Sequence, residues 1–219
     1  MEKWRENKIY FLVTSIVTVL PMIIGIVLWK QLPDRVAIHF DRNSIPNGWS
    51  SKGFAVFGLP IFCLITHIVC TLTTLFDKKQ ENIQNKIIHL VFWICPVVSL
   101  VCGSCIYGYA LSYPVNIGVF TEFFIGIIFV ITGNYLPKCR QNYVIGIKVP
   151  WTLQDKENWN RTHRLAGWIW VPCGILLILD AFLHIIAPSW MFFLLFGIMI
   201  IIPIGYSFFY FLKQKIKQH

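Results

Sequence analysis

Charged side chains are scarce in this chain of 219 residues, where Lys, Arg, Asp and Glu together make up 13 %. A soluble domain carries about 25 % charge, so the sequence lacks the polar surface that a soluble globular fold needs. Hydrophobic residues reach 56 %, which excludes a disordered chain as well. Cysteine is missing from every segment predicted below to be extracellular, so no disulfide framework is expected. These absences indicate a polytopic membrane protein.

Long apolar runs take the place of the missing charge. Six of them are long enough to cross the hydrocarbon of a bilayer at about 1.5 Å of helix per residue. We therefore predict an all-α membrane protein, a six-transmembrane-helix bundle that forms a single membrane domain over residues 1–219. The predicted spans are residues 9–29, 54–76, 87–111, 115–135, 166–186 and 189–212.

The distribution of positive charge predicts the orientation of the bundle. Fifteen Lys and Arg residues lie in the two termini and in the second and fourth loops, against four in the other three loops. Cytoplasmic loops carry the excess of Lys and Arg, so both termini are predicted to be cytoplasmic (N-in, C-in). The net charge of +9 is thus a topology signal, and we expect the lipid bilayer, rather than nucleic acid, as the direct partner.

The first loop, residues 30–53, is predicted to be extracellular and is rich in turn-forming residues. Pro46 and the pair Asn47-Gly48 favour tight turns, and Val36–Phe40 suits a short strand or an interfacial segment. Trp49 is a suitable anchor at the membrane interface. The loop is therefore either an ordered connector or an outward recognition surface.

The fourth loop, residues 136–165, is predicted to be cytoplasmic. Thr152, followed three residues later by Asp155, has the spacing of a helix-start cap. A helix that starts there would run into the fifth span. By their spacing it would bring three side chains close together: Trp159, Thr162 and His163.

Both loops carry recognisable motifs. Those of the fourth loop and the adjoining ends of its two spans are Gly133-Asn134, Pro137-Lys138, Gly146–Leu153 and Trp159-x-x-Thr162-His163-Arg164-x-x-Gly167. Those of the first loop are Leu32-Pro33, His39-Phe40 and Ser51-Lys52. The first set strongly resembles the SdpI family, bacterial cell-membrane proteins known for immunity to a secreted peptide toxin. The second set is similar to an uncharacterised domain that accompanies this family in longer members, except that Ser44 stands where glycine is usual and Asn47 where an acid is usual.

The resemblance implies two roles: neutralising the toxin and, when occupied, holding a cytoplasmic autorepressor at the membrane. For the second role we predict a docking surface on the fourth loop, which carries a net charge of +4 over residues 138–164. Simple retention of that charge at anionic lipid is the alternative. The predicted docking residues are Asn134, Lys138, Asn142, Gly146, Lys148, Pro150, Trp151, Thr152, Trp159, Thr162, His163 and Arg164.

Ionisable residues also fall inside the predicted spans, where a charged group costs about 2.5–3.5 kcal/mol on insertion scales. Glu122 and Asp180 are predicted to lie in the outer third of the bilayer, with His184 one helical turn from Asp180 on the same face. A structural contact between helices, a pocket for a cationic or amphipathic peptide, and a metal or proton site all remain open. The toxin-binding residues of such a pocket would be His39, Asp41, Trp49, Glu122, Asp180 and His184.

Catalytic motifs are missing from the chain: neither H-E-x-x-H, G-x-S-x-G nor a paired-carboxylate motif occurs. We therefore predict a non-enzymatic immunity or signal-receiving protein with no cofactor and no metal. The alternatives are a small transporter or exporter, which the lack of an internal repeat makes less attractive, and an intramembrane metalloenzyme.

Overall fold

A computed structural model describes residues 2–41, 43–184 and 189–217 of the chain. Within these residues, six helices are long and apolar enough to span a membrane, which confirms the predicted six-helix membrane fold. The N-in, C-in orientation stays a prediction. The elements are α1 Glu2–Val27, β1 Arg35–Phe40, β2 Pro46–Ser51, a π-helical turn Phe54–Gly58, α2 Leu59–Leu75, a 3₁₀ turn Gln80–Asn82, α3 Asn85–Ala110, α4 Ile117–Tyr135, a 3₁₀ turn Leu136–Lys138, α5 Pro150–Gln154, α6 Lys156–Leu183 and α7 Ser189–Lys217.

The chain divides into two compact units. The first comprises Met1–Phe76 and Asn85–Thr121, and the second comprises Asp77–Gln84 and Glu122–His219. The first unit therefore contains α1, the two strands, α2 and α3. The second contains α5, α6, α7 and most of α4.

In the first unit, β1 and β2 form an antiparallel hairpin. Of the two alternatives for Val36–Phe40, the strand is the one observed. Because side chains alternate along a strand, one side of β1 faces inward and packs against the apolar ends of the neighbouring helices. The residues of this core include Leu32, Val36, Ile38, Phe40, Ala55, Val56, Ile106 and Tyr107.

Hydrogen bonds between helices hold α1 against α3 beneath the hairpin. The Tyr107 hydroxyl donates to the carbonyl of Pro21 (2.9 Å), and the Ser99 hydroxyl donates to the carbonyl of Thr18 (2.8 Å). Each bond gives a polar side chain within a predicted span a partner on the neighbouring helix. The hairpin therefore rests on helices that are joined by specific contacts.

In the second unit, α4 and α6 pack closely at small residues. A Cβ atom added to Gly126 would lie 2.7 Å from the carbonyl oxygen of Gly174, and one added to Gly167 would lie 2.7 Å from that of Gly133. Larger side chains would force the two backbones apart, so these glycines set the distance between the helices.

Pro203 interrupts the hydrogen bonding of α7, because proline lacks the N–H that would bond to the carbonyl four residues earlier. That carbonyl belongs to Met199, and Trp170 of α6 donates its Nε1–H to it (2.9 Å). A neighbouring helix thus supplies the donor that α7 lacks, which is how membrane helices tolerate internal proline.

The start of α6 differs from the prediction. Thr152 lies inside the short helix α5, where its hydroxyl accepts the N–H of Val149 (3.1 Å). α6 begins at Lys156, and the carboxylate of Asp155 accepts the N–H of Glu157 (2.8 Å) as its N-cap. The spacing from Thr152 to Asp155 therefore belongs to two successive helices, and the prediction that it starts one helix is wrong.

The end of α6 also differs from the prediction. The helix stops at Leu183, and His184 adopts a left-handed backbone conformation (φ 50°) with its N–H on the carbonyl of Asp180 (2.8 Å). The side chain of His184 is exposed, whereas Asp180 is buried. The prediction that the two side chains share a helix face is wrong because the helix ends before His184.

Candidate functional site

The hairpin face is the side of the β-hairpin opposite its apolar core. Alternation places Asn47 and Trp49 on this face of β2, and His39 is exposed on β1. Trp49 is 48 % exposed and pairs across the strands with Ala37, and Ile45 in the turn is 58 % exposed. Exposed tryptophan beside an aliphatic group is typical of a surface that binds other molecules.

Asp41 holds the turn of the hairpin. Its carboxylate accepts the N–H groups of Asn43 (2.9 Å) and Ile45 (2.8 Å), and its own N–H donates to the carbonyl of Ile45 (2.9 Å). Such local bonds are what aspartate supplies in turns. Asp41, predicted as a toxin-binding residue, therefore has a folding role in the turn.

Ser44 stands where the first-loop resemblance predicts glycine, and its backbone conformation is one that suits glycine. Its φ of 64° lies in the left-handed region, which costs a residue with a Cβ atom more than it costs glycine. The serine hydroxyl donates to Asn116 Oδ1 (3.1 Å) and accepts the N–H of Gly118 (3.0 Å). These bonds fasten the turn to the first turn of α4 and compensate for the backbone strain.

His39 and Asn47 are hydrogen-bonded across the hairpin face. The ring Nδ1 of His39 donates to Asn47 Oδ1. The amide oxygen of Asn47 supplies the acceptor that an acid at this position would supply, and it does so without the negative charge.

Lys52 fastens the base of the hairpin. Its ammonium group donates to the carbonyl of Leu32 (3.1 Å), lies 3.2 Å from Asp34 Oδ1, and lies 5.2 Å from the ring centre of Trp29. A cation placed there satisfies a carbonyl just beyond the end of α1. Lys52 of the first-loop motif therefore serves to hold the base of the hairpin against the residues that follow α1.

Glu122 and Asp180 are buried side chains of the second unit, with exposed fractions of 8 % and 1 %. They lie on α4 and α6, and the register of these helices follows from Gly126, which packs against the carbonyl of Gly174 and the backbone N–H of Ile178. Gly133, later on α4, packs against Trp170, earlier on α6, so the two helices run in opposite directions. Glu122, one turn before Gly126, therefore lies level with Asp180, which follows Ile178 on α6.

The signature segment, residues 136–165, folds around the buried side chain of Asn142. Its Oδ1 accepts the N–H groups of Val144 (2.9 Å) and Ile145 (2.7 Å). Its Nδ2 donates to the carbonyls of Arg140 (2.9 Å) and Ile145 (3.1 Å). The whole capacity of the amide is used, so one side chain replaces regular secondary structure in this loop.

His163 joins the loop to α6. Its Nε2 accepts the N–H of Ile147 (2.9 Å), and its Nδ1 donates to the carbonyl of Trp159 (2.7 Å). These partners assign a neutral ring with its proton on Nδ1. The rings of Trp159 and His163 stack 4.0 Å apart, as the spacing along the helix predicts.

Gly146 is required where the loop crosses these two rings. Its φ of 121° is one that side chains rarely adopt, and a Cβ atom there would collide with Nε2 of His163. Trp159 donates its Nε1–H to the carbonyl of Cys139 (2.7 Å), on the other side of the loop.

Burial raises the pKa of the Cys139 thiol to about 11, so the thiol stays protonated at neutral pH and serves as packing rather than as a nucleophile.

Two residues outside the predicted docking set, Gln141 and Asp77, complete the segment. Gln141 donates its Nε2–H to the carbonyls of Thr152 and Leu153 (both 2.9 Å) at the end of α5. From the loop before α3, the carboxylate of Asp77 accepts the N–H of Tyr143 (2.9 Å). These are contacts between distant parts of the chain, and no local spacing signals them.

Ser207 connects α7 to both α5 and α6. Trp151 donates its Nε1–H to the Ser207 hydroxyl (2.7 Å), and Asn158 donates its Nδ2–H to the Ser207 carbonyl (2.9 Å). The hydroxyl of Thr162 in turn donates to Asn158 Oδ1 (3.0 Å). Three helices therefore share one buried polar cluster.

Comparison with known proteins identifies both regions. Residues 138–207 match the model of the SdpI/YfhL protein family, and residues 16–64 match a domain of unknown function, DUF1648. The Immunity protein SdpI of Bacillus subtilis (strain 168) is 25 % identical over 175 residues, which cover 78 % of this chain and 81 % of that protein. No solved structure matches the chain significantly.

The resemblance to the SdpI family is confirmed. With its six spanning helices, the chain is a multi-pass protein of a bacterial cell membrane. The SdpI match starts in the signature segment and ends at Ser207, so it covers the whole polar cluster around that serine. The DUF1648 match includes the hairpin.

The predicted docking residues divide by exposure. Five of them, whose side chains are fully buried, shape the signature segment and cannot touch a partner: Asn142, Thr152, Trp159, Thr162 and His163. Gly146 and Trp151 are half-buried. The exposed ones are Asn134, Lys138, Lys148, Pro150 and Arg164.

Proposed function

We propose that this protein is an immunity protein that protects its cell from a secreted peptide toxin by binding the toxin at the membrane. The observation that carries the proposal is the similarity to the Immunity protein SdpI over 78 % of the chain. The proposed mechanism is non-enzymatic: the protein would protect the cell by binding the toxin.

The hairpin face supports a role in toxin contact. It exposes Trp49 and Ile45 beside the hydrogen-bonded pair His39 and Asn47, while its other side packs into the core of the first unit. An aromatic and an aliphatic group on a rigid support lose little entropy when they bind an apolar peptide. In the predicted orientation this face meets the secreted toxin first.

Glu122 and Asp180 are proposed as the acidic determinant of recognition. Their burial at the same level of α4 and α6 makes them costly to keep in a membrane, and such acids are commonly functional. A cationic or amphipathic toxin would provide the complementary charge. His184, exposed just beyond the end of α6, is proposed as an accessory contact.

The signature segment is proposed to hold a cytoplasmic autorepressor when toxin is bound. Buried hydrogen bonds fix the conformation of the segment, and in that conformation the side chains of Lys138 and Lys148 are exposed. These exposed cations would steer an acidic surface of the repressor. Replacing both with glutamine should leave toxin protection intact and abolish membrane recruitment of the repressor, as measured by cell fractionation with and without toxin. Unchanged recruitment would contradict this role.

The main proposal is tested by survival of a sensitive host that expresses the protein and is exposed to a panel of secreted hydrophobic peptide toxins. We expect protection from at least one toxin, loss of protection with Trp49→Ala, Glu122→Gln or Asp180→Asn, and normal membrane abundance of each variant. Trp93→Ala is the matched control, because Trp93 is similarly exposed (40 %) but lies on α3. Protection by none of the toxins, or full protection by all three variants, would contradict the proposal.

A further inference from the structure

Arg164 is the residue of the Trp159–Arg164 motif that the folding of the signature segment does not explain. Thr162 and His163 are buried and hydrogen-bonded. The Arg164 side chain is exposed, and it has no hydrogen-bond or ion-pair partner among the residues that the structure describes. An exposed guanidinium without a protein partner is available to a ligand.

Arg164 lines a groove of about 490 Å³ along α6 and α7. Asn160, Arg161 and Trp168 line it from α6, and Tyr206 lines it from α7. Glu157 and Leu165 complete the lining. The Glu157 carboxylate is engaged by Arg161, so the remaining groups are cationic, amide, indole, phenol and aliphatic, which together suit a ligand with a charged end and an apolar end.

The two arginines of the groove are not equivalent. Arg161 donates twice to Glu157 Oε1 (2.9 and 2.7 Å) and lies 5.2 Å from the ring centre of Tyr210. Its charge is therefore largely compensated within the protein. Arg164 supplies the open positive charge of the groove, so we expect the ligand to be an anion.

The helix face that carries Arg164 continues along α6 toward the apolar part of the helix. Trp168, one turn further, is 76 % exposed. At helical spacing on the same face follow Ile175, Leu179 and Phe182, exposed by 46 %, 44 % and 62 %. A cation, then tryptophan, then apolar side chains is the order in which a helix passes from the headgroup region into the hydrocarbon.

We propose that this groove binds the phosphate of an anionic phospholipid. Arg164 donates to the phosphate oxygens, Asn160 and Tyr206 offer polar contacts beside it, and Trp168 packs along the glycerol region. The acyl chains cover the apolar face beyond Trp168, a surface that an acidic protein segment would leave exposed. This site goes beyond toxin immunity and requires no toxin or repressor.

The test uses the full-length protein in nanodiscs of phosphatidylcholine, titrated with phosphatidylglycerol that carries brominated acyl chains, which quench nearby tryptophan fluorescence. We expect saturable quenching, an apparent affinity about fivefold weaker for Arg164→Gln, and loss of the main quenched component in Trp168→Phe. Lys156→Gln is the control, because it removes the same charge from the same helix outside the groove. It should change the affinity by less than about twofold.

Three outcomes would overturn the proposal. An equal loss of lipid affinity in Lys156→Gln and Arg164→Gln would mean that anionic lipid is attracted by the overall positive charge of the helix rather than bound at a specific site. Equal quenching by brominated phosphatidylcholine would mean that the headgroup charge is not recognised. Displacement of the lipid by an acidic peptide, or by inorganic phosphate at the same concentration as the lipid, would assign the groove to a protein partner or to free phosphate. Trp168→Phe keeps the test decisive if Arg164→Gln proves unstable, because it leaves the charge in place.

Discussion

The hairpin and the signature segment are stabilised in opposite ways. The hairpin has an apolar core on one side, polar bonds at its turn and base, and an exposed second side. The signature segment contains an irregular stretch, residues 139–149, and its fold is held by fully buried polar side chains such as Asn142 and His163. A motif residue in the hairpin can therefore be free to bind, whereas most motif residues in the signature segment are engaged in folding it.

The difference has an energetic consequence. Leaving a buried donor or acceptor without a partner costs about 1–3 kcal/mol, whereas an exposed substitution usually changes stability by about 0.5 kcal/mol or less. We therefore expect substitutions in the signature segment to act through stability and those on the hairpin face to act through binding. Three pairs of variants can break or sharpen this contrast.

Gly146→Ala should have the largest effect. It introduces a Cβ atom at a φ of 121° and against the ring of His163, so we expect a loss of about 3 kcal/mol in the free energy of unfolding. Gly205→Ala in α7, where the added methyl group meets open space, is the control and should be neutral or slightly stabilising. Thermal unfolding of the detergent-purified proteins, monitored by the monodisperse fraction, measures both. Equal melting of the two variants would show that the loop at Gly146 relaxes.

His163→Phe should have the next largest effect. The phenyl ring can still stack on Trp159, but the partly buried N–H of Ile147 loses its acceptor, which we expect to cost about 2 kcal/mol. The same change at His39, on the exposed hairpin face, should alter stability by less than about 0.5 kcal/mol. Denaturant titration of both variants tests the contrast directly. If His39→Phe were as destabilising as His163→Phe, the hairpin face would be part of the fold rather than a free surface.

The smallest effects are expected at Ser44. Ser44→Ala keeps the backbone strain and loses both hydrogen bonds of the hydroxyl, so it should cost about 1 kcal/mol. Ser44→Gly loses the same bonds but relieves the strain, so it should be close to neutral. Comparing the unfolding midpoints of the two variants separates the contribution of the backbone strain from that of the hydrogen bonds. A larger loss of stability in Ser44→Gly than in Ser44→Ala would mean that the turn does not require the left-handed conformation.

Hydropathy and spacing predicted much of this fold, because they depend on properties of contiguous residues. Six apolar runs gave six spanning helices, turn-forming residues marked the hairpin, and the i, i+4 spacing placed Trp159 beside His163. The ends of α6 were less predictable. The helix starts at Lys156, after the N-cap Asp155, and stops before His184, which adopts a left-handed conformation. These ends were hard to predict because Thr152 is an equally plausible helix start and no glycine or asparagine near His184 marks a stop in the sequence.

The contacts of the candidate site lay largely beyond prediction from sequence. Asp77, Gln141 and Ser207 carry no local signal, since each bonds to a backbone or side chain that is remote along the chain or part of an irregular loop. The signature motif itself was visible, but not which of its members face inward. The exposure of Arg164 beside the buried His163 follows only from the packing of α6.

The amino-acid sequence by itself determined that this is a membrane protein with six spans and two motif-bearing loops, because the scarcity of charge and the length of the apolar runs leave a soluble fold no polar surface. Only the tertiary structure decided which motif residues fold the protein and which remain available to a ligand. The physical reason is that burial and hydrogen bonding depend on distant partners, so Asn142 and Arg164, polar residues of the same signature segment, end in opposite environments.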